Sequence, residues 1–202
     1  QRQIVNGICI DNQFTRYRDD AIWAESVGEY HVVSVSIADV TELVAPGSSA
    51  DEEASRRGFT LYGAHNGSGP QFMLPEHILS AASLESSGRP TTTITLVLGG
   101  ALETISCRVF PSVLRQRGRL SFAEADEALV DESHPLNSRL YLCGLLAEKL
   151  RARRRQKGAI VLDRLDLERY SLERASEEWH KHAHHVCAEH VVEEFILLAG
   201  GA

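Results

Sequence analysis

The chain has 202 residues, of which 43% are hydrophobic, and its formal net charge is −7 at pH 7. Such a chain can bury a substantial core, which excludes wholesale disorder, and it has no apolar run long enough to span a membrane. The acidic balance excludes a protein that holds nucleic acid by overall charge, so RNA would need a local basic groove. Four scattered cysteines without a CxxC pair favour buried free thiols in a reducing cytosol.

The first third of the chain is predicted to form strands. Ile and Val recur in residues 4–10, 21–25 and 31–37, and the last two segments flank Gly28. A short polar helix is predicted at 51–57, because acidic residues open it and arginines close it, as the helix dipole favours. Gly58 is expected to end that helix.

Later segments predict a hairpin and then helices. Residues 76–82 are predicted to be helical, and two strands at 91–98 and 103–114 are expected to pair across Gly99-Gly100. Ser121 and Glu124 form a capping-box pattern that opens a helix through Val130. Further predicted elements are an amphipathic helix at 138–156, short strands at 160–162 and 168–172, and a final helix at 186–198. Strands followed by helices indicate an α+β fold.

Three carboxylates are spaced as if a fold could bring them together. The first predicted strand ends at Asp11, and a short excursion returns the chain as Asp19-Asp20. Converging carboxylates repel each other by roughly several kcal/mol at low dielectric, so a fold tolerates them best around a divalent cation. Oxygen ligands of this kind suit Mg²⁺ or Mn²⁺. On spacing alone, ordinary turn chemistry is the favoured interpretation of this stretch.

A series of short motifs, in one order along the chain, changes that balance. The matching segments are Ile10-Asp11, Asp19-Asp20-Ala21, Val35-Ser36-Ile37-Ala38-Asp39, Asp51 with Ala54 and Arg57-Gly58, Tyr62, Met73-Leu74-Pro75, Ser83-Leu84, Arg119-Leu120-Ser121-Phe122-Ala123-Glu124-Ala125 and Val192-Glu193-Glu194-Phe195-Ile196-Leu197-Leu198-Ala199. In this order they resemble the catalytic domain of the ribonuclease II/R (RNB) family. The resemblance implies an α+β domain with an RNB-type mixed sheet flanked by helices.

The resemblance also implies an activity, namely Mg²⁺-dependent hydrolysis of single-stranded RNA from its 3′ end to nucleoside 5′-monophosphates. Asp11, Asp19 and Asp20 match positions of the Asp set that is catalytic and holds the metal in the family. The metal is expected to be Mg²⁺, with Mn²⁺ as the alternative. Three matched positions are expected to bind the substrate. Tyr62 would stack on a base, and Glu193 would contact the last ribose. Phe122 would stand near the last nucleotide, where the best-known members carry Tyr.

Departures from the family pattern keep an alternative function open. Tyr17, flanked by Arg16 and Arg18, stands where the family has a further Asp, which weakens the local negative field unless Asp39 or another group compensates. Residues 1–202 are expected to be a partial catalytic domain without flanking RNA-binding barrels, completed by a missing C-terminal segment or by a further chain. The alternative is an RNB-like module that has lost catalysis and binds RNA or protein. No membrane partner is expected.

Other patterns have simpler interpretations. The His-rich run at 179–185 is expected to be an exposed polar segment rather than a zinc site. The basic run 151–157 is expected to be a solvated helix end rather than the wall of an RNA channel, and Arg115, Arg117 and Arg119 leave the same choice open. Phe59 and Phe72 are predicted to be core residues.

Overall fold

The computed structural model describes residues 2–62, 70–160 and 187–202. These residues form the strands β1 (Gln3–Asp11), β2 (Asp20–Val27), β3 (Tyr30–Ala38), β4 (Pro90–Leu98) and β5 (Thr104–Ser121). They also form the helices α1 (Ser49–Arg57), α2 (Glu76–Ala82), α3 (Phe122–Val130), α4 (Asn137–Gln156) and α5 (Ala188–Gly200). The predicted α+β class is confirmed.

The five strands close into a barrel in chain order, β1 to β5. Neighbouring strands are antiparallel except β1 and β5, which run parallel with Gln3 opposite Ser112 and Asp11 opposite Ser121. The predicted mixed sheet is therefore confirmed, whereas the sequence did not predict its closure. Because β1 and β5 are parallel, both end at the same rim, where Ser121 leads directly into α3.

Two side-chain populations pack on opposite faces of the barrel wall. Large aliphatic residues such as Ile8, Ile22 and Leu96 form the main core with α3, α4 and α5. On the other face, small residues and hydroxyl groups predominate, as in the buried hydrogen bonds of Thr93 Oγ1 to Ser36 Oγ (2.8 Å) and to Ser112 Oγ (2.6 Å). Small side chains leave room for five strands to curl tightly, and paired hydroxyls avoid the cost of unsatisfied buried polar groups.

Most predicted elements are confirmed with small shifts at their ends. The capping box of α3 is present in both directions between Ser121 and Glu124, and Gly58 ends α1 in the left-handed conformation. β5 continues seven residues beyond the predicted end at Leu114. The predicted strand 168–172, most of the predicted strand 160–162 and the His-rich run lie outside the described residues.

Three expectations about burial were wrong. Cys9 and Cys143 are buried free thiols, but Cys107 is exposed. Phe59 is 63% exposed rather than part of the core. The basic run at the end of α4 is not simply solvated, because Arg151 is buried and forms an ion pair with Glu193. Among the described helices, none has the length and apolar character that crossing a membrane requires.

Candidate active site

A cleft of about 830 Å³ lies beside the segment that connects β1 to β2. Its wall is formed by Asp11, Asn12, Phe14, Thr15, Arg16, Tyr17, Arg18, Asp19, Ile37, Ala38, Val40, Thr60, Tyr62, Pro70, Phe72, Met73, Leu74, Leu79, Ala82 and Ser83. Of the predicted site residues, Asp11, Asp19 and Tyr62 therefore share one opening. Asp20 lies next to Asp19 at the start of β2, where it pairs with Ile37, and it does not line the cleft wall.

Asp11 is held in place by the turn that follows β1. Its Oδ1 accepts hydrogen bonds from the backbone N–H of Asn12 (2.7 Å) and from Thr15 Oγ1 (2.8 Å). Asn12 continues the turn, since its side-chain oxygen accepts a hydrogen bond from the Phe14 N–H at 3.0 Å. Asx-type bonds of this kind give a short loop a defined conformation. The bonds to Asp11 occupy only one of its two carboxylate oxygens.

The carboxyl groups of Asp19 and Asp20 are both less acidic than usual. Burial raises the pKa of Asp20 to about 7, with further contributions from the negative charges of Asp19 and Asp11. The pKa of Asp19 is also raised, chiefly because nearby protein removes part of its hydration and further by the charge of Asp11, although the residue itself stays exposed. The three acidic groups are thus near enough to influence each other, which is the arrangement that a cation would stabilise.

The donor chemistry of the three carboxylates fits a hard divalent cation. Among residues 2–62, 70–160 and 187–202, no three Asp, Glu, His or Cys side chains converge closely enough to hold a metal ion by themselves. Mg²⁺ usually keeps several waters and binds through one or two carboxylates together with substrate phosphate oxygens, so it does not require such a cage. Asp11, Asp19 and Asp20 are the residues that would hold it.

Asp39 does not compensate for the carboxylate missing at position 17. Arg2 donates a 2.7 Å hydrogen bond to Asp39, and Thr41 donates from both its backbone and its hydroxyl group. The hydrogen bond from the Thr41 side chain, followed by that from Arg2, lowers the pKa of the Asp39 carboxyl. Asp39 is therefore a partner of Arg2 and a cap of the short 3-10 turn Val40–Glu42, outside the cleft wall.

Aromatic rings form much of the rest of the cleft wall. The Tyr17 ring meets the edge of Phe72 with 5.3 Å between centroids, and the Arg16 guanidinium lies 5.5 Å from the Tyr17 centroid. Phe14 and Tyr62 are 80% and 79% exposed. Full burial of a Phe side chain is worth about 1.5–3 kcal/mol, so leaving these rings in water forgoes a substantial stabilisation. Phe14 was not identified from the sequence, although an aromatic residue within a polar turn is a usable signal.

Phe122 and Glu193 lie elsewhere. Phe122 begins α3, directly after the Ser121 that pairs with Asp11, and its half-buried ring packs against the main core. Glu193 on α5 forms ion pairs with Arg151 (3.0 Å) and Arg154 (3.3 Å) of α4. Neither residue lines the cleft. Their contact with RNA stays a prediction.

Two arginines of the cleft wall differ in how firmly they are held. Arg18 is nearly buried and donates a 2.9 Å hydrogen bond to Glu85, which also pairs with Arg119. Arg16 meets Glu76 at 3.3 Å, but both side chains are more than half exposed. An exposed ion pair contributes about 0–1 kcal/mol, so Arg16 can exchange Glu76 for another anion at little cost.

The structure is thus a five-stranded mixed barrel that carries carboxylates and exposed aromatic rings in one cleft. The chain belongs to the RNB domain family, whose sequence profile matches residues 3–202. It is 31% identical over 163 residues to ribonuclease R of Thermotoga maritima, covering 76% of this chain and 22% of that protein. It is 32% identical over 151 residues to exosome complex exonuclease RRP44 homolog A of Arabidopsis thaliana, covering 71% of this chain and 16% of the relative.

Solved structures share the fold at lower sequence identity. Mycoplasma genitalium RNase R in complex with ribose methylated single-stranded RNA matches with a TM-score of 0.72 at 22% identity, covering 80% of this chain and 26% of that one. Yeast Ssd1, described as a pseudonuclease, matches with a TM-score of 0.62 at 21% identity, covering 76% of this chain and 19% of that one. The chain thus spans about a fifth to a quarter of these proteins.

Proposed function

We propose that the protein shortens single-stranded RNA from its 3′ end and releases nucleoside 5′-monophosphates, with Mg²⁺ or Mn²⁺ held by Asp11, Asp19 and Asp20. The observation that carries this proposal is the meeting of Asp11, Asp19 and Tyr62 in one cleft of about 830 Å³. The RNB relatives named as ribonuclease R and as an exosome exonuclease support it at the level of the family. The chain is a small part of those relatives, so a further segment or chain is expected to complete the site.

A bound cation would supply an acidified water and neutralise charge on the scissile phosphate. The residues of the chain would position the cation and the 3′ end of the RNA. Asp11 offers its second carboxylate oxygen while Asn12 and Thr15 hold the first. Asp20, with its pKa near 7, would give up its proton as the cation arrives. Tyr62 would stack on a base near the 3′ end, which is worth about 1–3 kcal/mol per base.

The decisive experiment follows a 5′-labelled oligo(A) with Mg²⁺, in parallel with an EDTA control. Wild-type chain is expected to produce an EDTA-sensitive ladder, and Asp20→Asn should slow it strongly. Glu29→Gln is the matched control, because Glu29 is exposed in the turn between β2 and β3 and the substitution likewise replaces a carboxyl group by an amide. Equal ladders from wild type and Asp20→Asn would contradict the metal assignment.

Tyr17 favours a second candidate, an RNB-like module that binds RNA without cutting it. An aromatic ring packed on Phe72 stands where the family pattern has a carboxylate, and the remaining three do not form a closed cage. The fold by itself does not decide between the two functions. If this candidate is right, the wild-type chain would retard labelled oligo(A) in a gel-shift assay and would produce no ladder of shortened products. Tyr17→Asp would then introduce EDTA-sensitive laddering if the missing carboxylate is the cause.

Completion of the site by a second chain can be tested separately. Native mass spectrometry of the 202-residue chain, with and without oligo(A), would show whether two copies associate. A monomer that ladders RNA would exclude the need for a partner.

A further inference from the structure

Residues 12–18 leave β1 through a hydrogen-bonded turn and display several rings and cations toward the cleft. The Phe14 N–H bonds to Asn12 Oδ1, the Thr15 N–H bonds to the Asn12 carbonyl at 3.0 Å, and the Thr15 hydroxyl bonds to Asp11. This network fixes the backbone on both sides of Phe14. The exposed Phe14 ring is therefore presented by an ordered turn rather than by a loose loop.

Tyr17 is fixed by different means. Its ring is half-buried, its neighbour Phe72 meets it nearly at right angles (71°), and the Arg16 guanidinium lies over it. A planar guanidinium above a ring extends the stacking surface and carries a positive charge. Aromatic residues make up 6% of the chain, yet four of them line this cleft. The turn thus offers flat apolar surfaces beside an exchangeable cation.

We propose that the turn of Phe14, Arg16 and Tyr17 is a nucleotide-binding site of its own, in which an unpaired base of RNA stacks on the rings and its phosphate pairs with Arg16. This inference rests on the proposed function and adds to it contacts with a base besides the one expected at Tyr62.

Charge and exposure together determine the occupant. Asp11 and Asp19 share the cleft wall, so an anionic group is repelled from them and is directed to Arg16. The Arg16–Glu76 pair is long and exposed, so a phosphate can replace Glu76. The rings accept any base, because every base has a π face. Single-stranded RNA satisfies both requirements, whereas a paired duplex keeps its bases stacked on one another.

The test measures binding without cleavage. Fluorescence anisotropy of 5′-fluorescein oligo(A) in EDTA is compared with that of an oligonucleotide of the same length that is abasic at its 3′-terminal nucleotides. Phe14→Ala is expected to weaken oligo(A) binding about tenfold, in line with the loss of one stacked base, and to leave binding of the abasic strand unchanged. Tyr17→Ala is expected to behave like Phe14→Ala, and Tyr17→Phe is expected to retain wild-type binding.

Phe59→Ala is the matched control, because Phe59 is a similarly exposed ring that does not line the cleft. Far-UV circular dichroism would check that each variant is folded, and Phe14→Ala removes an exposed side chain that few packing contacts depend on. Equal affinities of wild type, Phe14→Ala and Tyr17→Ala for oligo(A) would overturn the inference while leaving the proposed function intact. Equal losses with the abasic strand would also overturn it. If wild type bound no RNA at all, the proposed function itself would fail.

Discussion

The protonation of Asp20 illustrates how one side chain can oppose folding in order to serve a site. Its carboxyl has a pKa of about 7, well above the ordinary value of 3.8 for Asp, so the folded chain holds this proton more tightly than the unfolded chain does. Folding stability consequently falls as pH rises from about 4 to about 7, and the whole penalty is present above pH 7. Asp20 is thus a destabilising residue at neutral pH, and the proposed cation would offset this cost.

Asp20→Asn should therefore stabilise the metal-free chain at high pH. We expect the free energy of unfolding to rise by an amount on the order of 1–3 kcal/mol at pH 8, and the gain to shrink toward zero near pH 4. The reason is that Asn carries no charge that folding would remove from water. Urea unfolding in EDTA at several pH values measures it. Asp131→Asn is a control with the opposite expected sign. Hydrogen bonds from Ser133 lower the pKa of Asp131, so replacing this carboxylate should destabilise the folded chain above about pH 4. A wild-type chain as stable as Asp20→Asn at pH 8 would contradict the unfavourable burial of this carboxylate.

At the scale of the strand, close packing inside the barrel explains Gly7. A Cβ atom at this position would lie 2.6 Å from Leu114 Cδ1 and 2.9 Å from Ala21 Cβ. We expect Gly7→Ala to lower the free energy of unfolding by about 1–3 kcal/mol, as overpacking of a filled core does. Urea denaturation measures this loss. Gly100→Ala, with no heavy atom within 4 Å, should change stability by less than about 0.5 kcal/mol, and equal effects at both glycines would contradict the close approach.

Elements specified by neighbouring residues were predictable, whereas pairings between residues far apart in the chain were not. The capping box at Ser121 and the hairpin around Gly99-Gly100 are local signals, and both are present. The parallel pairing of β1 with β5 joins Gln3 to Ser112, and alternation within each strand carries no information about that register. A shift in the register beside Gly7 is equally invisible in the sequence pattern.

The site was predictable to a similar degree. Spacing and resemblance identified Asp11, Asp19 and Tyr62, and the structure brings these three to one cleft. Phe14 was missed because its exposure depends on the tertiary course of the turn. Glu193 was assigned from a motif in which it adjoins Glu194, and only the packing of α5 on α4 reveals that both meet arginines.

For the molecule as a whole, an ion-pair cluster links α4 to α5. Glu194 is 1% exposed and meets Arg154 at 2.6 Å and Arg151 at 3.7 Å. Removing one member of a buried pair leaves charge uncompensated, so Glu194→Ala should cost up to about 3–5 kcal/mol of unfolding free energy. Glu193→Ala is the matched comparison, with a side chain 40% exposed and an expected cost below about 1 kcal/mol. Thermal unfolding of both variants tests this difference, and similar losses would show that burial does not set the energetics.

The net charge of −7 finally constrains how the molecule can hold RNA. If stacking provides most of the affinity and only Arg16 contacts a phosphate, because Arg18 is held by Glu85, few counterions are released. The slope of log affinity against log salt for oligo(A) should then be about −0.7, since single strands give roughly −0.7 per neutralised phosphate. Anisotropy titrations in EDTA between about 50 and 200 mM salt measure the slope. Arg16→Gln should reduce it by about 0.7, whereas Arg115→Gln, an exposed arginine outside the cleft wall, should leave it unchanged. A slope of about −4 would instead require roughly six phosphate contacts, and RNA would then follow a basic path beyond the cleft.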